Sequence, residues 1–189
     1  MLLIGENKVF FLDKKKKKII EDSMVCLLES GKITDYCLVC WSLSELGLKD
    51  MLIGKDLEFS GFKQNEILNR YFRNEHYIEF VILAAALKAL NPAFIIDDWA
   101  NKKAIISGWH VNTLNRMKSA GGVYEFFYYI ALLVSLESLG FNPQRLVFNK
   151  VKNNFDCFRE ESEQSDYPHF VIMMAFFRIL IRKGMIVFA

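Results

Sequence analysis

Long apolar segments recur along the chain, and each opens with a tyrosine. About a dozen mostly apolar residues follow each of these tyrosines, which are spaced 41, 47 and 43 residues apart. Segments that are apolar on most sides over this length are typical of buried helices. A period of about 40 to 47 residues is that of paired-helix repeats. The apolar segments run from Tyr36 to Leu46, from Tyr77 to Leu90, from Tyr124 to Leu139 and from Tyr167 to Ile181.

A more polar segment precedes each apolar one, so the pattern predicts four successive αα-hairpins. The predicted polar helices cover Lys14–Glu29, Gln64–Glu75, Trp99–Lys118 and Pro143 to about Glu161. Asp13 can cap the first of them, and Ile20, Met24, Leu27 and Leu28 fall on one of its faces.

The later polar helices carry start signals of their own. Asp97 or Asp98 can cap the third helix, and Pro143 suits the first turn of the fourth. We expect Ile105, Trp109 and Leu114 to be the inward anchors of the third helix.

These hairpins predict an all-α fold, either a stacked helical repeat or a compact bundle. The chain of 189 residues has no linker-like stretch, so we expect a single helical domain over residues 1–189. A short N-terminal strand over Lys8–Leu12 is an open alternative for that segment, and Leu48–Phe62 is an irregular loop.

The amino-acid composition narrows the range of possible partners and cellular locations. The chain is 52% hydrophobic, and 24 Lys and Arg face 22 Asp and Glu, giving a net charge of +2. This balance provides no general attraction to nucleic acid or anionic lipid, so we expect neither as the main partner. The N-terminus reaches Glu6 too soon for a signal peptide, and four cysteines are few for a disulfide scaffold. We expect a cytoplasmic protein with reduced thiols.

The apolar C-terminal stretch Tyr167–Ala189 is the better of the candidate membrane segments. It is interrupted by His169, Arg178, Arg182 and Lys183, whereas a membrane span needs about 20 apolar residues. Peripheral contact of this stretch with a membrane remains an alternative function.

No motif predicts a metal, cofactor or catalytic centre. Cys37-Leu38-Val39-Cys40 is a C-x-x-C, but a second pair for zinc is missing and the motif lies inside an apolar helix. We therefore interpret Cys37 and Cys40 as core residues. The chain has no phosphate-binding glycine loop and no recognisable nucleophile. We expect a protein that is not an enzyme, has no cofactor and takes no small-molecule substrate.

One stretch favours a catalytic alternative. Arg70-Tyr71-Phe72-Arg73-Asn74-Glu75-His76 resembles the Arg-x(4–6)-His signature of the HEPN ribonucleases, which are also all-α. The resemblance implies that Arg70 would hold a phosphate and that His76 would serve as acid or base. The long multi-hairpin layout departs from that compact family.

Acidic residues gather at two predicted connections and are the candidate partner-binding residues. One group is Asp97-Asp98, and the other lies in the run from Asp156 to Asp166, which only Arg159 opposes. Such a surface can steer a basic protein partner. The candidate contacts are Asp97, Asp98, Glu160, Glu161, Glu163 and Asp166. The five lysines of Lys14–Lys18 are interpreted as a solvated helix face.

Residues 59–110 resemble the uncharacterised bacterial YfbU family. The likeness rests on Phe59-Ser60-Gly61-Phe62, on Asn65-Glu66, and on Trp99 with Trp109-His110. This resemblance implies a helical fold, and it brings no activity with it.

The organisation as a whole resembles the helical immunity proteins that neutralise bacterial toxins, including toxins of contact-dependent growth inhibition. Such proteins act by covering the active site or the substrate-binding surface of the toxin. The resemblance implies a non-catalytic immunity or antitoxin-type inhibitor whose partner is a cognate bacterial toxin, with a basic nuclease as a suitable candidate. The HEPN-like and membrane-peripheral functions stay as alternatives.

Overall fold

A computed structural model describes residues 12–52, 61–118, 122–165 and 167–187, and within them the chain is almost entirely helical. The helices are α1 (Lys14–Glu29), α2 (Ile33–Glu45), α3 (Gly61–Arg73), α4 (Tyr77–Leu90), α5 (Trp99–Lys118), α6 (Val123–Ser138), α7 (Phe148–Ser165) and α8 (Tyr167–Arg182). A short 3₁₀ helix covers Lys49–Met51, and the two-residue strands β1 (Leu146–Val147) and β2 (Ile186–Val187) pair in parallel.

The eight helices form four hairpins, which confirms the all-α prediction. Each odd-numbered helix packs against the even-numbered helix that follows it. The four even-numbered helices also pack against one another in a closed ring, α2 on α4, α4 on α6, α6 on α8 and α8 on α2. Helix α1 additionally contacts α8, and α7 contacts α6. The molecule is therefore a closed bundle rather than an open stack of repeats.

The core lies inside the ring of apolar helices. Eight consecutive residues of α4, Phe80–Leu87, are buried, because this helix has neighbours on most of its sides. Trp41 of α2 and Phe176 of α8 join the first and last hairpins, with ring centroids 5.0 Å apart. Phe155 and Phe158 reach in from α7 and are almost fully buried.

The first hairpin follows its sequence signals closely. The side chain of Asp13 accepts a hydrogen bond from the Lys16 N–H at 2.8 Å, so it caps α1 as predicted. Ile20 and Met24 are fully buried on the predicted face. Gly31 ends the segment with φ +69°, a left-handed conformation that favours glycine.

The predicted start of the fourth polar helix at Pro143 is wrong, because α7 begins at Phe148. The Leu146 N–H donates to the Met185 carbonyl at 2.7 Å, and β1 pairs with β2 beyond the end of α8. This pairing holds the residues before α7 in an extended form. The second polar helix spans Gly61–Arg73 rather than Gln64–Glu75.

The inward face of α5 differs from the prediction at one of the three expected anchors. Ile106 is fully buried, whereas Ile105 is 47% exposed, so Ile105 is not an anchor. Leu114 is buried and Trp109 packs partly buried against the core, as predicted. Lys102 and Thr113 share the buried face, and these polar residues obscure its hydrophobic pattern.

Some predicted features fall outside the described residues. The strand predicted over Lys8–Leu12 is one of them, apart from Leu12, which is buried. Positions 53–60 of the Leu48–Phe62 loop are another, and so is Asp166. Among the helices that the structure describes, none is long and apolar enough to cross a membrane.

Candidate protein-binding site

The four even-numbered helices, which we call the core helices, begin at the same end of the bundle. Residues from the first turns of α2, α4 and α6 line one cavity, and residues from the first turns of α2 and α8 line a second. The third residue of each core helix is titratable: Asp35, Glu79, Glu125 and His169. These four positions are 44, 46 and 44 residues apart, a more even period than that of the tyrosines.

The larger cavity has a volume of about 610 Å³ and lies between α2, α4 and α6. It combines carboxylates, two tyrosines and apolar side chains. Its lining comprises Gly31, Lys32, Thr34, Asp35, Leu38, Tyr71, Ile78, Glu79, Ile82, Met117, Glu125 and Tyr128.

The smaller cavity has a volume of about 250 Å³ and adjoins the larger one through Lys32, Asp35 and Leu38, which line both. Phe127 and His169 form part of its wall, with ring centroids 4.8 Å apart. We call the two cavities together the N-terminal chamber.

The larger cavity has an excess of negative charge. Asp35, Glu79 and Glu125 line it, and Lys32 is the only basic side chain among its described lining residues. Each carboxylate lies in the first turn of its helix, where the positive end of the helix dipole stabilises an anion. The helix starts therefore hold three negative charges around one concavity.

The conformation of Glu125 depends on the glycine before α6. A Cβ atom added to Gly122 would overlap the Glu125 carboxylate, which folds back across this residue. Gly122 is the N-cap of α6 and offers no side chain of its own as a cap. Because Gly122 has no side chain, the Glu125 carboxylate can lie beside the start of the helix.

Asp35 and Tyr128 interact through the chamber. Burial raises the pKa of Asp35, and the charges of His169 and Lys32 oppose that effect. Burial also raises the pKa of Tyr128, with further contributions from the negative charges of Asp35 and Glu79. Groups from α2, α4, α6 and α8 are thus close enough to influence one another electrostatically.

Two tyrosines give the chamber its aromatic surface. The Thr34 hydroxyl lies 3.3 Å from the Tyr71 hydroxyl and donates to it, joining α2 to α3. Tyr128 is 41% exposed and Tyr124, next to it on the surface of α6, is 46% exposed. Tyrosines beside carboxylates are a composition found where proteins bind basic side chains.

Two thiols and several potential metal ligands lie near this end of the molecule. Within the described residues, no group of three or more His, Cys, Asp or Glu is placed to hold a metal ion. Cys37 and Cys40 are buried in α2, which confirms their interpretation as core residues. Burial raises the pKa of the Cys40 thiol to about 11 and that of Cys37 further still.

The predicted contacts Asp97 and Asp98 are exposed on the connection between α4 and α5. Asn65 of α3 holds this connection by donating to the Ile95 carbonyl at 3.0 Å and accepting from the Asp97 N–H at 3.1 Å. Lys102 is buried and donates to the Asp97 carbonyl and, at 2.7 Å, to Asn69 Oδ1. Ile95, 77% exposed, lies on the same connection.

The second predicted group lies on α7. Glu160 and Glu161 are exposed near the end of this helix, and Arg159 approaches the Glu160 carboxylate at 4.0 Å. Glu163 belongs to the same helix, and Asp166 lies outside the described residues. Because α7 ends where α8 begins, Glu160 and Glu161 are at the chamber end of the bundle. Asp97 and Asp98 follow the far end of α4, so the structure does not bring the two groups together.

Arg70 and His76 lie on different elements. Arg70 is in the last turn of α3 and lines an open groove of about 800 Å³ along that helix. His76 is exposed in the turn before α4, with its ring centroid 6.3 Å from that of Tyr71.

An alignment of the repeats on their tyrosines does not reveal the chamber. Tyr36 is the fourth residue of α2, whereas Tyr77 and Tyr167 are the first residues of their helices. Alignment on the charged residue near each tyrosine would have grouped Asp35, Glu79, Glu125 and His169. Comparison of the chain with protein-family models, curated proteins and solved structures found no match.

Proposed function

We propose that this protein is a non-catalytic binding protein that takes a cationic side chain of a protein partner into its N-terminal chamber. The observation that carries the proposal is the set Asp35, Glu79 and Glu125 around one cavity of about 610 Å³, opposed by Lys32 alone among the described lining residues. A lysine or arginine of the partner would supply the missing positive charge.

The chamber suits arginine particularly well. A guanidinium group can bind a carboxylate through two hydrogen bonds and can stack on an aromatic face. Glu79, Glu125 and Tyr128 line the same cavity, so both kinds of contact are available together. The apolar lining from Leu38, Ile78 and Ile82 can pack against the aliphatic part of such a side chain.

The chamber carboxylates are carried by helices of the core. Each projects from the first turn of a helix whose following residues are buried, so the backbone that carries the carboxylates is positioned before a partner binds. This preorganisation favours recognition of a partner by shape and charge.

An immunity or antitoxin-type inhibitor is the class of protein that this site supports best. A basic toxin would be attracted by the chamber, and Glu160 and Glu161 on the same end of the bundle would add to the attraction. Asp97 and Asp98 would contribute only from the opposite end. Inhibition would follow if the chamber covers a basic residue that the toxin needs for its activity.

The experiment begins with recovery of the partner. The native protein is used to pull down its partner from its own cells, and the purified partner is then titrated against variants. Glu79→Gln with Glu125→Gln should weaken binding at least tenfold and reduce its dependence on salt, because two charges of the chamber are lost. The matched control is Asp22→Asn with Asp50→Asn, which removes two exposed carboxylates that lie away from the chamber, one within α1 and one beyond the far end of α2.

Equal affinities of the chamber variant and the control variant would contradict the proposal. The catalytic alternative predicts a different result. Purified protein would then cleave RNA, and His76→Ala would abolish cleavage while the chamber variant remained active.

A further inference from the structure

The outer face of α5 carries exposed apolar residues. Helix α5 packs on α6 through residues such as Ile106. On the opposite side, Ile105 is 47% exposed and Val111 is 54% exposed. Ala104 and Gly108, also exposed, lie beside them. Exposed apolar residues grouped on one helix face are a candidate interaction surface.

The residues of this face are arranged symmetrically about Gly108. Ile105 and Val111 lie three residues before and after it. Ala104 and Asn112 lie four residues away on either side, and Asn101 and Asn115 lie seven. An antiparallel copy of the same helix, crossing at Gly108, would therefore place Ile105 against Val111, Ala104 against Asn112 and Asn101 against Asn115.

The charges at the two ends of the helix are complementary as well. Asp97 and Asp98 precede α5, and Arg116 is exposed in its last turn. Asp98 and Arg116 are separated by about 27 Å along the axis, at 1.5 Å per residue. In an antiparallel pair, Asp97 and Asp98 of each copy lie towards Arg116 of the other, so these charges attract.

We infer that α5 binds the α5 of a second copy of this chain, antiparallel and across a two-fold axis beside Gly108. Ile105 of each copy then packs on Val111 of the other, and the two contacts are identical, as two-fold symmetry requires. The proposal does not depend on the partner proposed for the N-terminal chamber, because it uses a different face.

Gly108 allows the two backbones to approach. A Cβ atom added to Gly108 meets nothing within 4 Å in the single chain, so this position faces outward and is not needed for internal packing. Glycine inside a helix lowers its stability, whereas a crossing helix can use the space that the missing side chain leaves. A dimer would explain why a glycine occupies this helix position.

The interface is small. One helix from each copy buries less than the ~1,600 Å² of a standard interface, so we expect a weak dimer with a dissociation constant of roughly 10 to 100 µM. Sedimentation equilibrium of the full chain between about 5 µM and 1 mM covers that range.

The first test alters the crossing point. Gly108→Arg places two like charges at the two-fold axis and should make the protein monomeric at all concentrations, with an unchanged circular dichroism spectrum. Asn154→Arg adds the same charge to the exposed surface of α7 and should leave the dimer intact. Wild-type protein that stays monomeric at the highest concentration, or a Gly108→Arg variant that still dimerises, overturns the inference.

The second test uses the charges. In the variant Asp97→Lys with Asp98→Asn, the lysine of each copy repels Arg116 of the other. In the variant Arg116→Glu, the glutamate of each copy repels Asp97 and Asp98 of the other. Each variant alone should therefore be monomeric. A mixture of the two should form a heterodimer, because both ends of the mixed pair are complementary. Replacing Asp98 with Asn retains a residue type that tolerates its φ of +53°. A mixture that remains monomeric, while wild-type protein dimerises, places the dimer on another face.

Discussion

Trp41 and Phe176 pack against each other with ring centroids 5.0 Å apart and an interplanar angle of 58°. Trp41 belongs to α2 in the first hairpin and Phe176 to α8 in the last, so their contact closes the ring of core helices. Both side chains are almost fully buried. The packing of these two rings ties the ends of the described chain to one core.

Phe176→Ala should lower the free energy of unfolding by about 3 to 5 kcal/mol, because it removes a fully buried aromatic ring and leaves a cavity. Urea denaturation followed by circular dichroism measures the change. Ile95→Ala serves as a control, since Ile95 is 77% exposed, and should cost less than about 0.5 kcal/mol. Equal losses in the two variants would contradict the closure of the ring through α8.

Asp35→Asn should stabilise the protein near neutral pH. Burial raises the pKa of Asp35 in the folded state, so its ionised form destabilises the fold. That destabilisation is absent below the ordinary carboxyl pKa of about 4 and grows as pH rises through the higher folded value. Urea denaturation of both proteins from pH 4 to pH 8 should show a difference that increases with pH and then levels. A difference that is constant over this range would argue against burial as the cause.

Two of the four cysteines should react slowly with a thiol reagent at pH 8. Cys26 and Cys157 are exposed, whereas Cys37 and Cys40 are buried. Burial raises the pKa of Cys40 to about 11, so roughly one molecule in a thousand carries its thiolate at that pH. We expect two fast equivalents of reagent, and two more only in denaturant. In a Cys26→Ser, Cys157→Ser variant the fast phase should vanish.

Lys102→Met should loosen the connection between α4 and α5. The Lys102 ammonium donates to Asn69 and to the Asp97 carbonyl, and methionine fills similar volume without a donor. We expect a loss of about 1 to 3 kcal/mol in unfolding free energy and faster hydrogen exchange of the Asp97 amide. The matched control is Lys103→Met. The Lys103 ammonium makes a single long contact of 3.4 Å with the Gly140 carbonyl, so its loss should matter less. Unchanged exchange at Asp97 would show that Asn65 alone holds this connection.

Local signals were sufficient where the neighbours of a residue in sequence decide its conformation. Asp13 caps α1 and Gly31 ends that helix segment, as their residue types predict. The four apolar helices also appear where the hydrophobic pattern places them, because a segment apolar on most sides has to be surrounded. Cys37 and Cys40 are buried for the same reason, as the apolar segment around their C-x-x-C predicts.

Local signals failed where a distant segment decides the conformation. Pro143 suits a helix start, yet α7 begins later because Leu146 bonds to Met185, about 40 residues further along the chain. Ile105 and Ile106 are equally apolar neighbours, and only the position of α6 decides that Ile106 is buried.

The candidate site shows the same division. Sequence alone determined that four apolar helices each follow a polar one, and it placed a titratable residue near the start of each. Only the tertiary structure decided that α8 packs back on α2, because an open stack and a closed ring bury similar helix faces within each hairpin. Closure gathers the four helix starts at one end, and it turns Asp35, Glu79, Glu125 and His169 from scattered residues into the lining of one chamber.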